Sequence, residues 1–167
     1  MRILVILLSL MTIPCLAQEW ESIETPVTSN LILFDIDFPI GQDEIGYTGG
    51  SNQTFNGQGT LMKTLDAGST WDVIWSSTSG GSGITALHFF TTEVGMVGTM
   101  DGTLMTTIDG GENWSDMDIA PGIDQGEIRD IDFYDALNGV MVTGWEGIYV
   151  TSDGGARWTQ ATSNYLG

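Results

Sequence analysis

Asp66, Asp109 and Asp153 are the residues whose type and spacing first suggest chemistry. Each lies in the pattern Thr-x-Asp-x-Gly-x-x-Trp, and the aspartates recur at intervals of 43 and 44 residues, as do the tryptophans. A carboxylate in an Asp-x-Gly loop can ligate calcium or move a proton in hydrolysis. A single active site, however, has no use for the same residues once per repeat. Turn chemistry accounts for all of them: the carboxylate accepts amides two or more residues on, and the glycine takes positive φ without steric cost. The threonine adds a hydroxyl bond and the tryptophan covers the neighbouring strand. Thr64, Asp66, Gly68 and Trp71, Thr107, Asp109, Gly111 and Trp114, and Thr151, Asp153, Gly155 and Trp158 are therefore read as structural.

The remaining candidates are weaker. His88 is the only histidine and has no partner ligands at metal spacing, which makes it a polar-face strand residue. Asp35/Asp37, Asp116/Asp118 and Asp130/Asp132 are spaced i, i+2, on one face of a strand. Such a pair suits a cation or a glycosidase acid and base, but more often it is a solvated strand edge that discourages aggregation. No Gly-x-Ser-x-Gly, His-Glu-x-x-His or phosphate-loop motif occurs. No catalytic residue, metal site or cofactor is expected. Of the aromatics Trp20, Trp75, Trp145 and Tyr149, the pair Trp145 and Tyr149 flank a tight turn at Glu146-Gly147 and are the candidates for stacking on a glycan or gripping a protein. Blade-to-blade packing is the commoner use of such rings and the reading favoured for them.

The elements that must carry the boxes repeat with them. Residues 31–38, 84–89 and 128–133 alternate apolar and polar side chains over most of their length, the period of a half-buried strand. Glycine-led strands follow at Gly46, Gly95 and Gly139, third strands at Gly59, Gly102 and Gly147, and each box tryptophan opens a fourth. Four strands per repeat at this period describe an all-β chain of β-propeller blades. Repeat one carries extra residues near 41–44 and 51–56 and has Ala67 where the other repeats have glycine. The expected organisation is a leader at 1–17, an N-terminal strand within 18–30 that could close a ring, and blades at 31–76, 83–120 and 127–163. Three four-stranded antiparallel repeats make an incomplete or open propeller, pointing to missing C-terminal blades or to self-assembly.

Arg2, the apolar run Ile3–Ile13 and Pro14-Cys15-Leu16-Ala17 have the form of a cleaved signal peptide. Cleavage after Ala17 leaves a cysteine-free chain, secreted or otherwise extracytoplasmic and not inserted in a membrane. Its net charge, −18 before processing, becomes −19, with Lys63, Arg129 and Arg157 as the remaining strong cations. Such a chain repels nucleic acid and has no arginine cluster to hold a sialic acid.

The recurring boxes resemble the Asp-box (bacterial neuraminidase) repeat of the sialidase-like superfamily. The fuller stretch Ile84-Thr-Ala-Leu-His-Phe, Gly95-Met-Val-Gly and Asp101 to Trp114 resembles a repeat of the photosystem II assembly/stability-factor family. Asp130 to Trp158 fits nearly as well. The resemblance implies a non-enzymatic binding or assembly scaffold with a protein or glycan ligand. The alternative is a fragment of an Asp-box glycoside hydrolase whose catalytic residues lie outside this chain.

Overall fold

The computed structural model describes residues 22–23, 25–26, 30–52, 57–78, 80–117, 126–144 and 147–161. The leader, Trp20, Trp145, Glu146 and Asp118 lie outside them. Every regular element among the described residues is a strand, and none is a helix long and apolar enough to cross a membrane. Three sheets of four antiparallel strands follow one another. Blade 1 is β1 (Leu31–Asp37), β2 (Gly46–Asn52), β3 (Gly59–Thr64) and β4 (Asp72–Ser76). Blade 2 is β5 (Ile84–Phe89), β6 (Gly95–Thr99), β7 (Leu104–Thr107) and β8 (Ser115–Met117). Blade 3 is β9 (Ile128–Phe133), β10 (Gly139–Thr143), β11 (Gly147–Thr151) and β12 (Thr159–Gln160). Sequence neighbours are sheet neighbours throughout, so each blade is a meander.

The first strand of every blade breaks strict alternation at one equivalent residue. Phe34, Thr85 and Arg129 are passed over in the pairing with the second strand, which is a bulge. The bulge brings two apolar side chains three residues apart onto one face. Ile84 with Leu87, and Ile128 with Ile131, thus point together at the preceding blade and are buried.

Two cores result, each between two blades. One joins Tyr47 and Leu61 of blade 1 to Ile84, Leu87, Phe89, Val97 and Met105 of blade 2. The other joins Ala86, Met96 and Leu104 of blade 2 to Ile128, Ile131, Met141, Tyr149 and Trp158 of blade 3. Within each blade the first-strand phenylalanine meets the box tryptophan edge to face, at centroid distances of 6.4, 6.3 and 5.8 Å. That phenylalanine also explains the glycine that leads each second strand. A Cβ on Gly46, Gly95 or Gly139 would stand 2.6, 2.4 or 2.6 Å from the ring of Phe38, Phe89 or Phe133.

Candidate functional site: the boxes and the blade contacts

Each box is the connection between third and fourth strands. In blade 2, Thr107 Oγ1 donates to Asp109 Oδ1 (2.9 Å) and accepts the Gly111 amide (3.0 Å). Asp109 also accepts the Asn113 amide (2.9 Å) and Asn113 Nδ2 (2.8 Å). The Asn113 side chain and amide, with Thr107, hold the Asp109 carboxyl below the usual range. Blade 1 repeats the pattern: Asp66 accepts the Thr70 amide and hydroxyl at 2.7 Å each and the Thr64 hydroxyl at 2.9 Å. Its carboxyl is lowered by the Thr70 amide first and the Thr70 hydroxyl next. In blade 3, Asp153 accepts the Arg157 amide and the Thr151 hydroxyl, and the Arg157 amide leads the lowering of its pKa.

The chain enters a left-handed conformation twice in each box, at Ala67 and Gly68, Gly110 and Gly111, and Gly154 and Gly155. Ala67, at φ 58°, is the only non-glycine residue with positive φ among those described. Trp71 and Trp114 donate Nε1 to the glycine carbonyl three residues back, at 3.1 and 3.0 Å. Trp158 Nε1 is buried with no acceptor among the described residues. The twelve box residues thus close the loops and pack the blades.

The aspartate pair on the first strand of blade 1 is not a solvated edge, as its spacing suggested. Asp35 Oδ2 accepts the Leu87 amide at 2.8 Å, and Asp37 Oδ2 accepts the Phe89 amide at 2.7 Å. Both donors lie on β5, so this is a two-point clamp between blades. Burial pushes the Asp35 carboxyl up, and the Leu87 and Ile36 amides pull against it, while Asp130 and Asp37 add to the rise. The blade 1 and 2 contact is pinned again at its rim. Tyr47 stacks on Phe89 at 3.5 Å and donates its hydroxyl to the Thr92 carbonyl at 2.7 Å. Burial pushes that phenol up to about 12. Lys63 Nζ, 5.2 Å from the Tyr47 ring centre, donates to the Gly110 carbonyl at 3.3 Å.

His88 replaces the clamp between blades 2 and 3. Its ring centre lies 4.8 Å from that of Phe90 and 5.1 Å from that of Phe133, so it is an aromatic packing residue. Tyr149 is buried at 2 % exposure in the second core, and Trp75 is half-buried against the first. Tyr149 therefore offers no ring to a glycan, and both rings pack against a core. Among the described residues, no three His, Cys, Asp or Glu side chains come together as metal ligands.

Two surface features remain. An apolar groove of about 180 Å³ lies on the flank of blade 1, lined by Ile23, Leu33, Ile36, Met62 and Trp71 with Thr25 and Thr48. A polar cleft of about 270 Å³ lies beside the third box, between Val150, Asp153, Arg157 and Thr159.

The sequence profile of the photosynthesis system II assembly factor YCF48 family matches residues 14–167. The chain belongs to that family. Among solved structures, YCF48 bound to D1 peptide is 25% identical with a TM-score of 0.68, over 89% of this chain and 44% of that one. YCF48 from Cyanidioschyzon merolae is also 25% identical, with a TM-score of 0.61 over 81% of this chain and 38% of that one. The chain therefore spans less than half the length of the YCF48 proteins it matches. The Niastella koreensis GH74 enzyme, 17% identical with a TM-score of 0.58 over 77% of this chain and 22% of that one, shares the fold. No curated protein matches the chain.

Proposed function

We propose that this member of the YCF48 family is an exported, non-enzymatic scaffold that holds a protein segment, in the manner of a photosystem assembly factor. The observation that carries the reading is the family match over residues 14–167, joined by the likeness to YCF48 bound to D1 peptide. The chemistry of the chain points the same way. The box carboxylates and the Asp35/Asp37 pair are engaged by backbone amides. With a net charge of −18, the chain favours a neutral or basic partner segment over nucleic acid or an anionic membrane. A protein ligand is favoured over a glycan, because Tyr149 is enclosed in the core.

Titration of a D1 peptide into the full chain by calorimetry tests the partner. Saturable binding in the micromolar range is expected, and no heat at millimolar peptide would overturn a peptide-holding role. Export has a separate test. N-terminal sequencing of protein recovered outside the cytoplasm is expected to begin at Gln18, and cytosolic retention with Met1 intact would rule it out.

A further inference from the structure

The box hairpins and the turns between first and second strands lie together at one end of the blades. Each box is bonded to the turn of its own blade, amide to carbonyl: Ala67 to Glu44, Gly110 to Glu93 and Gly154 to Leu137, at 2.9, 2.8 and 2.8 Å. This end is apolar at its tips. The residue between the box threonine and aspartate is Leu65 in blade 1 and Ile108 in blade 2, 63% and 81% exposed. Neither side chain serves the hairpin. Ser152 fills the same place in blade 3, and the Thr151 and Asp153 bonds form around it as they do in the other boxes. On blade 3, Leu137 stands 57% exposed in the turn.

Ile108 belongs to blade 2, which packs against a blade on either side, so its exposure is a property of the hairpin and not of an uncovered flank. Leu65 holds the same position in blade 1, and Leu137 the position of Glu93, which is exposed in blade 2. The first two tips are also tied together. Lys63 Nζ donates to the Gly110 carbonyl across the blade contact, and those residues lie two places from Leu65 and Ile108. Among the described residues, no turn at the opposite end exposes a large apolar side chain. Around the tips the charge is of one sign. Asp43, Glu44, Glu93, Glu112, Asp135 and Asp153 are exposed at this end, where Arg157 is the exposed cation among the described residues.

Apolar tips in an acidic field suit a partner that carries apolar side chains and positive charge together. Building on the peptide-holding reading, we propose that the box end of blades 1 and 2, centred on Leu65 and Ile108, docks an extended protein segment in which apolar residues are interspersed with lysine or arginine. The apolar tips supply the contact, and the carboxylates select the charge of the segment and speed its arrival. A second copy of the chain would bring the same acidic field against this one, and an anionic bilayer would be repelled by it.

A labelled peptide of about twelve residues, alternating lysine and leucine, is expected to bind the full chain in the micromolar range by fluorescence anisotropy. Replacing its lysines by glutamate, or its leucines by serine, should each weaken binding about 10-fold or more. Leu65→Ser combined with Ile108→Ser copies blade 3 at both boxes. That double variant should lose about 10-fold in affinity and keep the melting temperature of the wild type. Affinity of the double variant within about twofold of wild type, or equal binding of the lysine–serine peptide, would overturn the proposal. So would a doubled mass in light scattering that the two substitutions abolish, or co-sedimentation with phosphatidylcholine vesicles, since either gives the tips another occupant. The D1 peptide keeps the two readings apart. If it binds wild type and double variant alike, the peptide-holding role stands and this site falls. If the lysine–leucine peptide binds through Leu65 and Ile108 and the D1 peptide never does, the site stands and that partner falls.

Discussion

The contact between blades 1 and 2 and the contact between blades 2 and 3 share one apolar fit and differ in their polar chemistry. In both, an isoleucine enters the space above a glycine, and a phenylalanine packs against a box tryptophan behind it. The first contact adds two carboxylate-to-amide bonds from Asp35 and Asp37. The second has Ala86 and His88 in those places, and instead Thr85 Oγ1 donates to the Ile128 carbonyl while His88 stacks by Phe133. The glycine fit is the shared requirement, and the polar groups are interchangeable means of fixing register.

The comparison can be broken most sharply at the shared element. Gly98→Val drives side chain into Ile128 and should destabilise by about 3 kcal/mol, read by urea unfolding. An effect under 1 kcal/mol would show that the blades separate freely at this point. The variable element should cost less. Asp37→Ala leaves the Phe89 amide without its acceptor and should cost about 1–2 kcal/mol. Asp132→Ala, at an exposed position where the carboxylate takes the amide of the next residue, should fall within about 0.5 kcal/mol. Equal effects at the two positions would undo the distinction between an aspartate that bridges two blades and one that bonds within its own strand.

Acid titration separates the box carboxylates from Asp35 by sign. Asp66, Asp109 and Asp153 have lowered pKa values, so their contribution is present above the unfolded carboxylate range and is lost as pH falls through the folded values. Asp35 is raised, so its ionisation removes stability as pH climbs through its folded value. Melting temperatures should therefore fall on acidification for the wild type, while wild type should lose ground relative to Asp35→Asn as pH rises through the folded Asp35 value. A small effect is also expected of Ala67→Gly. Relief of a left-handed alanine, about 1–2 kcal/mol, is offset by the greater freedom of glycine in the unfolded chain, leaving a gain below about 1 kcal/mol.

The blades were legible because their signals are local. Thr64 to Trp71 and its two counterparts fix the hairpin, and alternation places the strands on either side. The Asp35/Asp37 clamp was not legible, because its partners are backbone amides 52 residues away and carry no side-chain signature. Strand spacing says that two carboxylates share a face and is silent on what faces them. Trp75 and Tyr149 were ambiguous for a related reason: an aromatic ring suits a ligand surface as well as the blade contact that packing favours. The glycine fit did leave a trace, in Gly49 and Gly98, but its meaning depended on knowing that Ile84 and Ile128 arrive above them.

The order β1-β2-β3-β4 within each sheet also bears on how the protein is made. Every strand pairs with the strand synthesised just before or after it, so loop-closure entropy stays small and hairpins can form as the chain emerges. Burial comes later, because the core of each blade is completed only by the next. Nascent chains would therefore carry one greasy flank forward at each stage, covered in turn by the following repeat. Assembly is vectorial, each blade completing the core of the one before it.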